Sequence, residues 1–316
     1  MSMKYFSLCS GMEAATVAWS PLEWECVGLC DFASFPQKIL KHHYPDVPLF
    51  PNMLNLLNDE KFKKIKKDLI VGGTPCQDFS DAGLNKGMDG LRAQLAVEFG
   101  KILDQERPQW FVWENVDGVF KKQHHKGLCD IISSFTGVEF RPERIERMGV
   151  VQGEKYSIAY RVLDSQHFGV PQRRKRIYIV GYRGKDWRPP FAVLFEQGCF
   201  EEVKEKNRDK RDEHTQNILG EIKILGTITK SYAQTLVDGF GKISTSNYWV
   251  DKKGIREFTI KELLRAQGFP DNYFDGIQGT YSAKTGAIGN SMTVNVMRWI
   301  GQRIDYVNKI KKGISV

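Results

Sequence analysis

The stretch DLIVGGTPCQDFSDAG, residues 68–83, indicates both the class of fold and the place where chemistry occurs. Its apolar opening predicts a buried strand, and the two glycines after it predict a tight turn at the end of that strand. A proline and then a cysteine, Cys76, follow directly. A thiol kept only for packing is expected inside the apolar run. Cys76 comes after the run, where a loop presents the side chain to a cleft, and this position favours a reactive cysteine.

Apolar runs of the same kind alternate with segments of helical spacing along the first half of the chain. The other runs are KYFSLC (4–9), WECVGLCD (24–31), QWFVWENV (109–116) and RKRIYIVGYR (174–183). This alternation predicts an α/β fold with a mostly parallel sheet. In such sheets ligands bind beyond the carboxyl ends of the strands. Ser10, Asp31, Cys76 and Glu114 all fall at those ends, so we expect them to line one cleft.

The composition is that of a soluble globular protein. The chain has 316 residues, of which 41% are hydrophobic and 27% charged, enough for one large domain or two. No apolar run reaches the roughly 18 residues of a membrane span, and polar residues interrupt the first 19 residues too often for a signal peptide. We therefore expect a cytoplasmic protein, in a prokaryotic cell or in the host cell of a virus, with no membrane partner.

The cysteines and the charge narrow the range of partners. The six cysteines include no Cys-x-x-Cys pair and no zinc spacing, which predicts free thiols and no metal. The net charge of +8 suits a polyanion such as nucleic acid. This signal is weak alone, because many basic proteins bind nothing acidic.

The pattern changes after residue 183. Prolines break it, a run of mixed charge occupies residues 201–214, and residues 227–255 are rich in Thr, Gly, Ser and aromatic residues. We predict a large α/β domain at 1–183 plus 284–316, to which the last helix returns. A smaller, loop-rich domain is predicted at 184–283.

Taken together, five motifs in one order resemble the cytosine carbon-5 methyltransferases that use S-adenosylmethionine. The resemblance spans nearly the whole chain and implies a Rossmann-like cofactor-binding sheet with a small target-recognition domain. The motifs are GGTPCQDFS (72–80), WENV (113–116), FGVPQRRKRIYIVG (168–181), LLRAQGFPD (263–271) and GAIGNSMTVNVMRWIG (286–301).

The resemblance assigns catalytic roles to four residues. Cys76 matches the nucleophile, whose thiolate adds to carbon 6 of cytosine so that carbon 5 can attack a methyl group. Glu114 matches the residue that faces ring nitrogen 3 and the exocyclic amine, a role that requires a raised pKa. Arg176, and with it Arg174, matches the arginines that hold the base carbonyl and a nearby phosphate.

The resemblance also implies a binding site for S-adenosylmethionine. Asp31 stands where the family places an acidic residue for the ribose, and Phe32 is placed to stack on adenine. The cofactor loop, CSGMEA (9–14), keeps one glycine of the family motif and departs from it at Cys9, Glu13 and Ala14. The full expected set is Ser10, Gly11, Asp31, Phe32, Asn52, Met53, Leu95, Asn290 and Ser291.

The implied substrate is double-stranded DNA, bound by a monomer that rotates one cytosine out of the stack. The same chemistry on a structured RNA is an alternative. The family's tRNA-directed branch carries Cys-Phe-Thr where this chain reads TITKSYAQ (227–234), which favours DNA. The resemblance leaves open whether a restriction endonuclease accompanies the protein.

Two alternatives come from other classes of protein. A silent nucleic-acid binder or repressor has no need of Cys76, Glu114 and Arg176 together. A dinucleotide-dependent oxidoreductase needs a G-x-G-x-x-G motif, which the first strand lacks. Taken singly, Cys76 fits an inert thiol, Asp31 and Asn290 fit turn residues, and the run 173–176 fits a solvated basic patch. The order of the five motifs argues against these simpler interpretations.

Overall fold

The structure is a computed structural model that describes residues 2–74, 87–195, 248–251 and 254–311, with side chains described for 2–74, 95–195 and 257–311. The predicted nucleophile Cys76 lies outside these residues, as do residues 196–247 of the predicted recognition domain.

An eight-stranded sheet forms the centre of the molecule, with strand order β3-β2-β1-β4-β5-β8-β7-β6. The pairs from β3 to β5 are parallel, and β8, β7 and β6 continue the sheet by antiparallel pairing. Two further strands, β9 and β10, form a separate antiparallel pair. The strands are β1 Lys4–Leu8, β2 Glu25–Cys30, β3 Leu49–Phe50, β4 Leu69–Gly73, β5 Trp110–Val116, β6 Met148–Val151, β7 Tyr156–Asp164, β8 Lys175–Arg183, β9 Tyr248–Asp251 and β10 Gly254–Glu257.

Helices connect the strands and return to the sheet at the end of the chain. They are α1 Ala14–Trp19, α2 Ser34–His43, α3 Glu60–Lys64, α4 Gly87–Glu106, α5 His125–Thr136, α6 Arg188–Leu194, α7 Ile260–Gln267, α8 Tyr281–Asn290 and α9 Val294–Lys311. Local sequence fixes several ends. Helix α7 begins with a reciprocal cap between Thr259 and Glu262 and ends at Gly268, which has a φ of 86°.

Alternation along the strands supplies two apolar faces, each covered by helices. Tyr5, Val112 and Tyr178 lie in the apolar cluster that is covered by α1 and by α6, α7, α8 and α9. Phe6 and Trp113 lie in the opposite cluster, beneath α4 and α5. The result is a three-layer α/β/α arrangement.

The α/β class and five predicted strands are confirmed, and three further strands of the sheet, β3, β6 and β7, were not predicted. The described parts of the chain hold no helix long and apolar enough to cross a membrane. Leu194 in α6 and Leu264 in α7 fall in the predicted small domain, yet they pack in the cluster under α1 and α9. The division into domains itself stays a prediction.

The packing of α9 on α1 gives a test of the fold. A Cβ added at Gly301 would lie 2.2 Å from Nε1 of Trp19, which is held by donating to the Met297 carbonyl at 2.7 Å. Because neither group can move aside freely, we expect Gly301→Ala to lower the free energy of unfolding by about 1 to 3 kcal/mol in urea.

Gly118 is the matched control, since a Cβ there meets only a Val116 methyl at 3.7 Å. Gly118→Ala is expected to change the free energy of unfolding much less. Equal losses in the two variants would contradict the close packing of α9 on α1.

Candidate active site

The predicted functional residues lie at the carboxyl ends of the parallel strands. Ser10 follows β1, Asp31 follows β2 and Thr74 follows β4. Glu114 lies near the end of β5 itself. Strand β8 runs antiparallel to β5, so β8 begins where β5 ends, and Arg176 pairs with Val116 in the register. The carboxylate of one strand and the guanidinium of the other are thereby brought to the same place.

Glu114 is a buried acid beside a buried cation. Its side chain is 11% exposed, and its Oε1 lies 3.3 Å from Nε of Arg176, an ion pair too poorly aligned to be a hydrogen bond. Oε1 accepts no hydrogen bond from the described residues. Burial raises the pKa of Glu114, and the charges of Arg176 and Arg174 oppose that rise. The carboxyl therefore keeps one oxygen for a ligand and gains a proton more readily than an exposed glutamate.

Gly73 provides room for this carboxyl. A Cβ at Gly73 would lie 2.8 Å from Oε2 of Glu114 and 3.2 Å from the terminal methyl of Met292. The second glycine of the GGTPCQ motif therefore has a steric role in the site, in addition to the turn that the sequence suggested.

Arg174 is more deeply buried than Glu114, with 2% of its surface exposed. Its Nη2 donates to the Ser291 carbonyl at 2.8 Å, whereas Nε and Nη1 have no hydrogen-bond partner among the described residues. Burial, and next the charge of Arg176, lower the pKa of Arg174 to about 10. Two unsatisfied donors on a buried cation are suited to a carbonyl oxygen or an anion.

Two glutamines hold the turn between α8 and α9 against the start of β8. Gln172 donates to the Ala266 carbonyl at 2.9 Å and also to the side chain of Gln267. Gln267 donates to the Ser291 carbonyl at 2.6 Å, so that carbonyl is shared with Arg174. Ser291 is buried and Asn290 is exposed. The main chain of Ser291 thus belongs to the support of Arg174, and its predicted contact with the cofactor stays a prediction.

The cofactor loop between β1 and α1 is a tightly turned segment. Cys9, Gly11 and Glu13 have φ values of 51°, 58° and 59°, the left-handed region that favours glycine. Ser10 ties this loop to β2, because its hydroxyl donates to the Cys30 carbonyl at 3.2 Å and accepts from the Cys30 amide at 3.0 Å.

Asp31 links the loop to α2. Its Oδ2 accepts from the Gly11 amide at 2.8 Å and its Oδ1 from the Ala33 amide at 2.9 Å. Burial raises the pKa of Asp31, and these two bonds oppose that rise. The next residue, Phe32, has 82% of its surface exposed, unusual for so large an apolar side chain. A Cβ at Gly11 would meet nothing closer than 3.9 Å, so the loop is open to an approaching ligand.

The remaining predicted cofactor residues differ in burial. Asn52 caps a 3-10 helix, its side-chain oxygen accepting from the Leu54 amide at 3.0 Å. Met53 is 3% exposed, and Leu95 in α4 is half-buried against the cluster under α4 and α5. Their contacts with a cofactor stay predictions.

The sequence indicated Glu13 only as a departure from the family's glycine and predicted no role for its side chain. Glu13 is 1% exposed, and its Oε1 accepts from the Thr16 amide and hydroxyl at 3.2 and 3.1 Å. Its Oε2 has no partner among the described residues. Burial raises the pKa of Glu13 to about 7 against the opposing hydrogen bonds of Ser7, Thr16 and Ser10. The available signal was a glutamate at a position where the family motif has glycine, the residue that adopts a positive φ most readily.

The segment after α7 also reaches the cofactor loop. The Tyr273 hydroxyl donates to the Met12 carbonyl, and the Tyr273 carbonyl lies 2.8 Å from Nε2 of His43, whose ring stacks on Tyr273 at 4.1 Å. The segment that follows the LLRAQGFPD motif is therefore bonded directly to the loop 9–14 and also to α2. The sequence assigned no role to His43.

These elements agree with a known family. The model for C-5 cytosine-specific DNA methylases matches residues 3–236 and 227–305, which is most of the chain. The chain belongs to the C-5 cytosine-specific DNA methylase family. The resemblance read from the five motifs is thus confirmed, although the roles of individual residues are not tested by this match.

Relatives differ in how much of their length the chain spans. A DNA N-6-adenine-methyltransferase of Escherichia phage P1 is 33% identical over 61% of this chain, which spans 30% of that protein. The Type II methyltransferase M.DsaV of Dactylococcopsis salina is 26% identical over 96% of this chain and 86% of its own. A mutant of Spodoptera frugiperda DNMT2 superposes with a TM-score of 0.65 at 20% identity, over 96% of this chain and 99% of the other. The last confirms the Rossmann-like fold.

The buried carboxyl of Glu13 gives a prediction for pH. Its pKa is about 7 in the folded chain and near 4.5 when unfolded, so folding favours the protonated form. Stability of the wild type is then lost as pH rises through this window, because the charge must be buried. We expect the free energy of unfolding of Glu13→Gln, minus that of the wild type, to rise by about 2 kcal/mol between pH 5 and pH 8.

Urea unfolding of both proteins at the two pH values measures this difference. Other titrating groups cancel in the subtraction. A difference that does not change with pH would show that Glu13 carries the same charge in both states.

Proposed function

We propose that this protein transfers a methyl group from S-adenosylmethionine to carbon 5 of a cytosine that is rotated out of duplex DNA. The observation that carries the proposal is the meeting of Glu114, Arg174 and Arg176 at the carboxyl edge of the sheet. All three side chains are largely buried. Oε1 of Glu114 and Nε and Nη1 of Arg174 have no hydrogen-bond partner among the described residues, and Nε of Arg176 lies 3.3 Å from that Oε1. Such a cluster is costly without a ligand that is both polar and planar.

Cytosine supplies the complementary groups. In the proposed complex Glu114, protonated, donates to ring nitrogen 3, and its free oxygen accepts from the exocyclic amine. The raised pKa of Glu114 supports this role, since the acid form is needed when charge develops on the ring. The guanidinium of Arg176 lies at 3.3 Å from the same carboxyl, in position for the base carbonyl.

The nucleophile of the proposal is Cys76, which lies outside the described residues. Its thiolate forms a bond to carbon 6, the electron pair of the 5,6 double bond shifts to form a 4,5 double bond, and the 3,4 pair moves to nitrogen 3, which takes the proton of Glu114. Carbon 5 then takes the methyl group as the bond from that group to the cofactor sulfur breaks, which leaves S-adenosylhomocysteine. Loss of the carbon-5 proton to a base, an ordered water in this proposal, restores the 5,6 double bond and expels the Cys76 thiolate, and the proton on nitrogen 3 returns to Glu114.

S-adenosylmethionine supplies the electrophilic methyl group when it is bound. The described residues fit such a molecule in two respects. Asp31 presents a carboxylate for ribose hydroxyls, fixed by the amides of Gly11 and Ala33, and the exposed ring of Phe32 is available to stack on adenine. Because Gly11 has open space where a side chain would be, the loop can approach the methionine portion closely.

Duplex DNA is the proposed substrate because the family is one of DNA methylases and the chain carries a net charge of +8. A stacked base cannot reach a cluster buried at the sheet edge, so the base must be flipped at a cost of a few kcal/mol. Recognition of the flanking sequence is proposed to lie in the region between α6 and α7.

Covalent trapping tests the proposal. We expect the protein, S-adenosylmethionine and duplex DNA containing 5-fluorocytosine to form an adduct stable to denaturation, because fluorine cannot leave carbon 5 as a proton does. Cys76→Ser should form none. Cys129→Ser is the matched control, since Cys129 is a free, buried thiol in α5, and it should form the adduct as the wild type does.

A gel shift under denaturing conditions measures the adduct, with an equal pool of structured RNA in parallel. An adduct with RNA alone would contradict the choice of DNA. Absence of any adduct would overturn the enzymatic proposal and favour a silent binding protein.

A further inference from the structure

Thr74 is held from two sides at the exit of β4. It follows two glycines, so it is the first residue after Val71 with a side chain, and it is 3% exposed. Its hydroxyl accepts from Nε1 of Trp113 at 3.0 Å, and its carbonyl accepts from Nδ2 of Asn115 at 3.1 Å. The chain therefore leaves the sheet in a single fixed position.

The two donors come from the neighbouring strand β5 and from its same face. Trp113 and Asn115 are two residues apart, so both lie on the face opposite to Glu114. Trp113 is fully buried, and its ring packs on Phe135 of α5 at 5.9 Å between centroids. Asn115 is 2% exposed, and its side-chain oxygen accepts from the Val116 amide at 2.8 Å. Neither donor can turn away from Thr74 without breaking contacts of its own.

Three consecutive residues of β5 thus control two places at once. Glu114 places its carboxyl toward Arg176, while its neighbours clamp the main chain at Thr74, two residues before Cys76. A rigid strand makes the separation between the two places constant. Such a constraint matters for a bond-forming step, where a displacement of about 1 Å can reduce a rate about a hundredfold.

We infer that the hydrogen bond from Trp113 to the Thr74 hydroxyl sets the position from which Cys76 attacks, which makes Thr74 and Trp113 positioning residues for covalent addition. This inference rests on the proposed function. The hydroxyl of Thr74 touches no substrate atom in this account and acts only through the path of the main chain. Its loss should therefore slow adduct formation and leave cofactor binding as it is.

The test compares Thr74→Val, which removes the hydroxyl and keeps the shape, with Thr74→Ser, which keeps the hydroxyl. The rate of adduct formation is measured in a single turnover with 5-fluorocytosine duplex. The dissociation constant for S-adenosylhomocysteine and the thermal midpoint are measured on the same samples. We expect Thr74→Val to slow the adduct about tenfold, the effect of one well-placed hydrogen bond, with an unchanged dissociation constant. Thr74→Ser should restore most of the rate.

Two further variants separate positioning from general stability. Thr136→Val removes another fully buried hydroxyl, which donates to the Ile132 carbonyl at 2.7 Å in α5. It should lower the thermal midpoint and leave the adduct rate unchanged. The double variant Trp113→Phe with Thr74→Val should form the adduct no more slowly than the slower of the two single variants, because both substitutions remove the same hydrogen bond.

The outcomes distinguish this inference from the proposed function. A wild-type rate in Thr74→Val, equal rates in Thr74→Val and Thr74→Ser, or a loss of rate in Thr136→Val that matches its loss of stability would overturn the positioning role alone. No adduct with the wild-type protein would overturn the proposed function and this inference with it.

Discussion

The antiparallel pairing of β8 with β5 is the constraint on which the site depends. In a parallel arrangement the start of one strand and the end of its neighbour lie at opposite edges of the sheet. Here the direction reverses at β8, so the basic start of β8 meets the acidic end of β5, with Arg176 across from Val116. A slip of one residue would move Arg174 and Arg176 to the opposite face and break the contact of Arg176 with Glu114.

The cost of burying these charges explains how much of the chain supports them. Arg174 has its main-chain amide bonded to Asp164 at 3.0 Å, and one arm of its guanidinium to the Ser291 carbonyl. The Ser291 carbonyl also accepts a hydrogen bond from Gln267. Residues from the last quarter of the chain thus hold the guanidinium of Arg174, which lies in the middle of the sequence. A buried ion pair stabilises a fold weakly at best. Its retention is better explained by a ligand that completes its hydrogen bonds.

Much of this arrangement follows from sequence, for identifiable reasons. Continuous apolar runs revealed the buried strands, and the carboxyl-end rule placed Ser10, Asp31 and Glu114 at one edge. Strand β6 escaped prediction because its four residues are all half-buried and carry no clear alternation. The buried Glu13 was also hidden, because nothing in a local pattern shows that a glutamate in a loop is covered by α1 and the segment around Tyr273. Contacts between distant residues, such as Arg174 with Ser291, depend on the fold as a whole.

Methylation of cytosine at carbon 5 is the reaction proposed for this site, and the identity of the methylated nucleoside tests that proposal. The protein is incubated with methyl-labelled S-adenosylmethionine and duplex DNA, the DNA is digested to nucleosides, and the labelled product is identified by chromatography and mass spectrometry. The account predicts label in 5-methyl-2′-deoxycytidine alone. Label on an exocyclic nitrogen, as N6-methyladenine or N4-methylcytosine, would contradict it, because attack at an amine requires neither a thiolate nor the cluster around Glu114.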